Sequence, residues 1–479
     1  MEASEDRKIP LNWLLMLAAT AGIVCRVAQY AAHQSMWIDE ASLALNIRNH
    51  TAAGLFGPLD YDQAAPPLFL LAERALYLTF GGSEISLRFV PLICGIASVV
   101  IFALLARRML EPPWDAIATA AFALSDRLIW HSCEVKQYGV DATVAVLLIY
   151  LAIGPRADGS ATRRFIAAAA VATVAAWFSY TAMLVFPAIA IALFPRRDKG
   201  TAVAPFLAGC ALAGTSFLLI VQHVVAAQQT QSLSTTWQGD FIDLRHFWRV
   251  PWWLVRHLHS MSNYAIPGAG TVALIGSLAG AIWLWRSGKR EELLILGGPI
   301  LVALGAAAAH RYPFDGSRLT CFLCGPDLML AIIGLRWIYG GMTRFGRPVS
   351  AAPAALVLGF AMVPAAMHLV VPRDRGHLRQ AVKFIREHVQ PDDEIYVLHD
   401  QRIVLWYWPA CEGRMRWRLG PDDPPPGRRF WIVWNFDNDA SKRRAEAVVR
   451  WADGFATRRQ QIHFSDCGAV LMERQTDGM

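Results

Sequence analysis

Two adjacent acids, Asp39 and Glu40, stand in Met36-Trp37-Ile38-Asp39-Glu40-Ala41, just after the first long apolar run of the chain. Neighbouring carboxylates point in different directions, so one can accept a proton while the other orients it or holds a cation. Asp39 is also well placed to cap a helix that begins at Glu40. Cations recur in later loops. Lys136 lies in His131-Ser132-Cys133-Glu134-Val135-Lys136-Gln137-Tyr138, and Arg311 and Arg318 lie in the stretch from His310 to Arg318. Gln63 precedes Ala64-Ala65-Pro66-Pro67, and Arg88 ends Ser83-Glu84-Ile85-Ser86-Leu87-Arg88. A single Arg at a bilayer edge can simply snorkel. Several together are what a phosphate headgroup needs, Arg as a planar fork and Lys as a point charge.

The elements that must position these residues are apolar. Of 479 residues 55% are hydrophobic and only 17% charged, against about 25% charged in soluble chains. About eleven runs approach the length of about 20 residues that crosses a bilayer core. They lie near 11–32, 83–106, 114–131, 138–153, 163–179, 181–194, 203–222, 268–286, 291–309, 317–336 and 350–371. The fold class is a polytopic α-helical membrane protein of about eleven transmembrane helices, and the first run reads as an uncleaved helix. The net charge of +7 fits loops that meet anionic lipid rather than nucleic acid.

Positive charge orients the chain. The short loops of one side hold Arg7, Lys8, Arg107, Arg108, Arg156, Arg163, Arg164, Arg196, Arg197, Lys199, Arg286, Lys289, Arg290, Arg336, Arg344 and Arg347. The longer loops of the other side hold fewer basic residues. The positive-inside rule then puts residues 33–82, 223–267 and everything after about 372 outside. In the first outer loop, 40–50 and 66–80 read as short interfacial helices. The loop 223–267 holds Gln228-Gln229-Thr230-Gln231, Trp237, Trp248, Trp252, Trp253 and Tyr264. It reads as an aromatic belt at the interface, or as a lid.

Beyond residue 372 the pattern changes to a small α/β domain. A helix is expected at 378–386, strands at 394–398, 429–434 and 468–473, and a helix at 440–452, with a loop at 421–427. The division is therefore 1–371 for the membrane domain and 372–479 for an extracytoplasmic one. The latter shows no catalytic constellation and reads as structural support or acceptor contact. Cys411 and Cys467 could pair if that domain lies outside the cytoplasm. Cys321-Phe322-Leu323-Cys324 lacks the second pair of ligands that a structural zinc requires.

Trp37-Ile38-Asp39-Glu40-Ala41, Gln63-Ala64-Ala65-Pro66-Pro67-Leu68-Phe69, Ser83-Glu84-Ile85-Ser86-Leu87-Arg88 and Glu134-Val135-Lys136-Gln137-Tyr138 resemble the family C membrane glycosyltransferases. The nearest group is similar to the protein-mannosyltransferase-like and aminoarabinose-transferase-like enzymes, including rhizobial lipopolysaccharide galacturonosyltransferases. The resemblance spans about residues 10–340 and lies in the order of the motifs. It implies an inverting transfer of a monosaccharide from a polyprenyl-phosphate donor to an envelope lipid, glycan or protein, on the outer face of a bacterial inner membrane. By the same resemblance Asp39 is the base that deprotonates the acceptor hydroxyl and Glu40 its neighbour in the acidic pair. Lys136, Arg311 and Arg318 hold the donor phosphate with Tyr138 beside it. Gln63, Glu134, Arg88 and His131 are further substrate-binding candidates. Relatives often carry Lys or His just before the Pro-Pro-Leu stretch, where this chain has Gln63-Ala64-Ala65. No cofactor is required, because a lipid phosphate is a good leaving group; a divalent cation on Glu40, Glu134 or His131 stays open. The competing class is a lipid or glycan transporter, whose pathway charged residues at membrane depth would line.

Overall fold

The computed structural model describes residues 13–154, 161–195, 202–228, 235–343, 346–374, 376–416, 418–421, 423–435 and 439–475. Arg7, Lys8, Arg156, Arg196, Arg197, Lys199, Arg344, Gln229, Thr230, Gln231 and part of the 421–427 loop lie outside them. The chain divides into two compact units. The first holds residues 1–32, 50–81 and 85–373; the second holds 33–49, 82–84 and 374–479.

The first unit is helical. Six of its described helices are long and apolar enough to cross a membrane: Trp13–Ala31, Phe89–Met109, Val203–Gln228, Arg290–Ala308, Arg318–Met342 and Arg347–Val370. Counting one bent pair as a span gives up to seven, where hydropathy suggests about eleven. The difference comes from runs that the fold breaks up or forms as helices of 10–17 residues, such as Tyr138–Ile153. The apolar run 114–131 becomes Trp114–Ala123 and Asp126–His131, parted at Ser125, whose hydroxyl donates to the Ala265 carbonyl. The pair expected at 163–179 and 181–194 forms two separate helices, Ala161–Ala175 and the short Ala182–Ala192.

Close packing inside this unit depends on missing side chains. Helices Gly270–Arg286 and Cys324–Met342 meet at Gly276, Gly280 and Gly334, where a Cβ on Gly334 would stand 1.9 Å from the Gly276 carbonyl oxygen. Small residues four apart let helix backbones touch in this way. On the first helix, buried Arg26 donates to the carbonyls of Gly22 and Ala123 and to Ser132 Oγ. A Cβ on Gly22 would meet Ala123, and one on Gly95 would meet Ser132. The residue next to His131 is thereby fixed from the first helix.

The loop expected over 223–267 contains a helix, Val250–Ala265, bent 107° from the following Gly270–Arg286 helix. Trp248, just before it, and Trp252, on it, are exposed, while Trp253 stacks on His257 with ring centroids 3.9 Å apart.

The second unit is α/β. Strands β1 (Glu394–Leu398), β2 (Met415–Arg416), β3 (Arg429–Asn435), β4 (Ala456–His463) and β5 (Cys467–Arg474) form one sheet in the order β2-β1-β3-β5-β4. β1 runs parallel to β2 and β3, and β5 antiparallel to β3 and β4. One face packs Tyr396, Phe430, Ile432 and Met472 against Ala445 and Val449 of helix Asp439–Ala452. Trp431, at full burial, meets Phe384 of helix Leu378–His388 edge-on. Buried Asp393 accepts from Trp431 Nε1, Arg429 and the Gln390 amide. β4 escapes sequence reading because its Thr457–Gln461 side chains are all exposed, as on an edge strand. Cys411 and Cys467 are free thiols. Burial raises both, Cys411 to about 11, which keeps them protonated.

Candidate active site

The acid pair belongs to the second unit. Helix Ile38–Asn49 is buried on all sides from Glu40 to Ile47, so it is not the one-faced interfacial helix expected from its sequence. Its polar residues satisfy themselves along the helix: Ser42 Oγ donates to the Ile38 carbonyl and Asn46 Nδ2 to the Ser42 carbonyl. That leaves no polar face for water. Glu40 is fully buried, and its carboxylate accepts the Trp37 amide at 3.4 Å, closing the first turn as an N3 acid does. Asp39, one residue earlier, remains part-exposed.

The segment leading into this helix is laced to the C-terminal chain. Tyr407 Oη accepts the Met36 amide at 2.8 Å and donates to Glu84 Oε1 at 2.6 Å. Glu84 also takes Arg379 at 3.0 Å and His33 at 3.1 Å. Arg379 donates to the His33 carbonyl at 2.7 Å. Along the helix, Arg402 donates to Ser42 Oγ at 2.9 Å and is itself gripped by Asp400. Arg48 reaches the Leu405 carbonyl and lies over the Trp406 ring.

The other candidates belong to the first unit, and five of them gather at the start of helix Tyr138–Ile153. Lys136 is buried, with Nζ donating to Gln63 Oε1 at 2.5 Å. His131 and Glu134 are also buried, 2.7 Å apart. The second ring nitrogen of His131 meets Tyr264 Oη at 2.7 Å, and its ring meets Tyr138 edge-on. A neutral imidazole satisfies both bonds, with Nδ1–H donating to Glu134 and Nε2 accepting from Tyr264. The loop carrying Gln63 is clamped from the other side. Gln228 takes the Ala65 amide and returns a bond to its carbonyl, and Tyr180 donates to both Ala65 and Gln228.

Arg318 stacks over Trp237 at 5.3 Å, while Arg311 is exposed on the preceding turn. Asp315 shapes that turn by accepting from Ser317, Leu319 and Thr320. Cys321 Sγ donates to the Tyr138 carbonyl, which joins the turn to the Lys136 helix. Buried Tyr312 donates to the Leu319 carbonyl, and burial holds its phenol well above the usual range. Arg88 is buried at the start of helix Phe89–Met109. Left-handed non-glycine residues immediately precede two of the candidate ligands: Tyr61 and Asp62 before Gln63, and His310 before Arg311. Such conformations persist only where the surroundings enforce them.

Glu40, Glu134 and His131 were the candidate metal ligands. Among the described residues no group of three or more His, Cys, Asp or Glu side chains is arranged to hold an ion. His131 bonds to Glu134 through one ring nitrogen and to Tyr264 through the other. Glu84, Arg402 and Tyr407 were not singled out by sequence, because their partners lie 295 to 360 residues away. Arg26 was open to discovery as a lone guanidinium inside an apolar run.

Residues 64–223 match a sequence family described as dolichyl-phosphate-mannose-protein mannosyltransferase. That stretch holds Arg88, His131, Glu134, Lys136 and Tyr138. The crystal structure of ArnT from Cupriavidus metallidurans bound to undecaprenyl phosphate superposes with a TM-score of 0.57 at 14% identity, over 96% of this chain and 98% of ArnT. The apo form of the same protein gives 0.55 at 13%, over 96% and 97%. The chain has the fold of ArnT. It is an integral membrane protein, mostly helical, with a small C-terminal sheet. No curated protein matches it by sequence.

Proposed function

We propose that this family C fold transfers a monosaccharide from a polyprenyl-phosphate donor to an envelope lipid, glycan or protein, with inversion, at the outer face of a bacterial inner membrane. The observation that carries the reading is Lys136: a buried ammonium at the head of a helix, held by Gln63, in a fold shared over nearly its whole length with ArnT, which binds undecaprenyl phosphate. A lysine ammonium is a compact point charge of the kind that binds phosphate.

In this mechanism Asp39 accepts the proton of the acceptor hydroxyl as its oxygen attacks the anomeric carbon. Glu40 fixes the turn from which Asp39 projects. The lipid phosphate departs on the opposite face of the sugar, and Lys136, Arg311 and Arg318 stabilise its growing charge, with Tyr138 beside them. Gln63 orients Lys136. His131 and Glu134 stiffen the turn that carries it, and Arg88 serves the substrate from the next helix. Residues 1–371 supply the membrane machinery and 372–479 an outer domain.

The test is mass spectrometry of envelope lipids and glycans from cells carrying wild-type protein, Asp39→Asn, or neither. Loss of one monosaccharide increment in the last two, with Asp39→Asn present in the membrane at wild-type abundance, supports the proposal. An increment that survives Asp39→Asn overturns the assignment of the base.

A further inference from the structure

The second unit brings its own sheet and the acid pair into one network. Asn435, the last residue of β3, accepts the Asp400 amide at 3.4 Å. Asp400 grips Arg402 through backbone and side chain. Arg402 reaches Ser42, one turn beyond Asp39 on the same helix. A second line ends at Met36, three residues before Asp39, where the backbone N–H meets Tyr407 Oη and the hydroxyl proton goes to Glu84. Glu84 is 5% exposed and draws Arg379 and His33 onto the same point.

We propose that Tyr407 and Arg402 are positioning residues for Asp39, so that the C-terminal α/β unit sets the aim of the catalytic base as well as stabilising the chain. The proposal rests on the reading of Asp39 as base. Helix Ile38–Asn49 is short, and its N-terminal turn carries the carboxylate. A rotation of one residue in that turn would swing Asp39 by about 100°. Tyr407 fixes the segment before the turn and Arg402 the turn after it. Together they remove that rotation. Displacements of about 1 Å at a reacting group can cost about a hundredfold in rate, so the two contacts bear on turnover without touching substrate.

Tyr407→Phe keeps the ring and deletes only the hydroxyl. The full-length protein is reconstituted in vesicles with polyprenyl-phospho-sugar lipids and envelope lipids extracted from the producing cells. Turnover is read by mass spectrometry and referred to sites titrated with undecaprenyl phosphate. Expected are a kcat at least tenfold lower, a donor KM within twofold of wild type, an unchanged number of titrated sites, and amide exchange at residues 33–41 at least tenfold faster. Arg402→Lys should fail to restore kcat to an Arg402→Gln variant's background, because an ammonium cannot hold Asp400 and Ser42 in one plane. Wild-type kcat in Tyr407→Phe with accelerated exchange overturns the proposal, as does unchanged exchange. A drop in titrated sites equal to the drop in activity also overturns it, since that is loss of fold. Asp39→Asn is measured alongside. If it keeps activity, the base assignment falls, while the exchange rates still decide whether Tyr407 holds the segment.

Discussion

Glu73 is a buried acid of the first unit. It lies on helix Pro67–Phe80, outside the spanning segments, with no exposed surface. Neither carboxylate oxygen has a hydrogen-bond partner among the described residues. Burial alone pushes its pKa well above the ordinary 4.5, so the fold holds it as a neutral acid. Replacing it with Leu, similar in volume and without polar atoms, removes two separate costs. A neutral buried polar group without partners costs about 1–3 kcal/mol. The second cost depends on pH. The unfolded chain ionises above about 4.5 while the folded chain keeps the proton, so the folded state binds more protons. Wild-type stability therefore declines as pH rises through this window, by up to about 1.4 kcal/mol per unit, and levels off once the folded group ionises. Glu73→Leu should be more stable than wild type by about 1–3 kcal/mol near pH 5, and the gain should grow as pH rises until the folded carboxyl ionises. The assay is equilibrium unfolding of micelle-solubilised protein by SDS at pH 5, 6, 7 and 8. A variant less stable than wild type at every pH would refute the reasoning. So would a gain that stays constant across the series, because the pH term follows directly from a carboxyl kept neutral by burial.

Other outcomes follow from single contacts. Lys136→Met should weaken undecaprenyl phosphate binding, measured by scintillation proximity, by about tenfold or more, or about 1.4 kcal/mol; Gln63→Ala should weaken it less, since it removes only the orienting contact. Gly334→Val drives a side chain into the Gly276 carbonyl and should abolish monodisperse protein on size exclusion, whereas Gly359→Val, with open space around it, should behave as wild type. Asp393→Ala strips the partner from Trp431 and Arg429 and should lower the stability of the second unit by about 2–4 kcal/mol, read by near-ultraviolet circular dichroism.

Much of this arrangement was legible because it is periodic. Apolar runs announced the membrane helices, and the change of pattern after residue 372 announced strands at 394–398 and 429–434, which appear at Glu394–Leu398 and Arg429–Asn435. The turn from His131 to Tyr138 was legible because charge gathers at a helix end. What the sequence conceals is long range. Nothing local in Ile38–Asn49 distinguishes a helix lying on lipid from one buried on all sides, since Ser42 and Asn46 turn inward onto their own backbone. Glu84 reads as an ordinary loop acid until Tyr407 and Arg379 arrive from the far end of the chain. β4 carries no alternation because no face of it is covered along Thr457–Gln461.

That residues 33–49 group with residues 374–479 has a consequence for biogenesis. Synthesis delivers the Asp39 helix before the membrane helices and its companions Arg402 and Tyr407 after them, so that helix cannot settle until they emerge. Domains form as units as their residues emerge; this one must hold its first piece in waiting while the intervening chain enters the bilayer. A nascent chain arrested anywhere before residue 402 would therefore carry the 33–49 segment without the contacts of Arg402 and Tyr407.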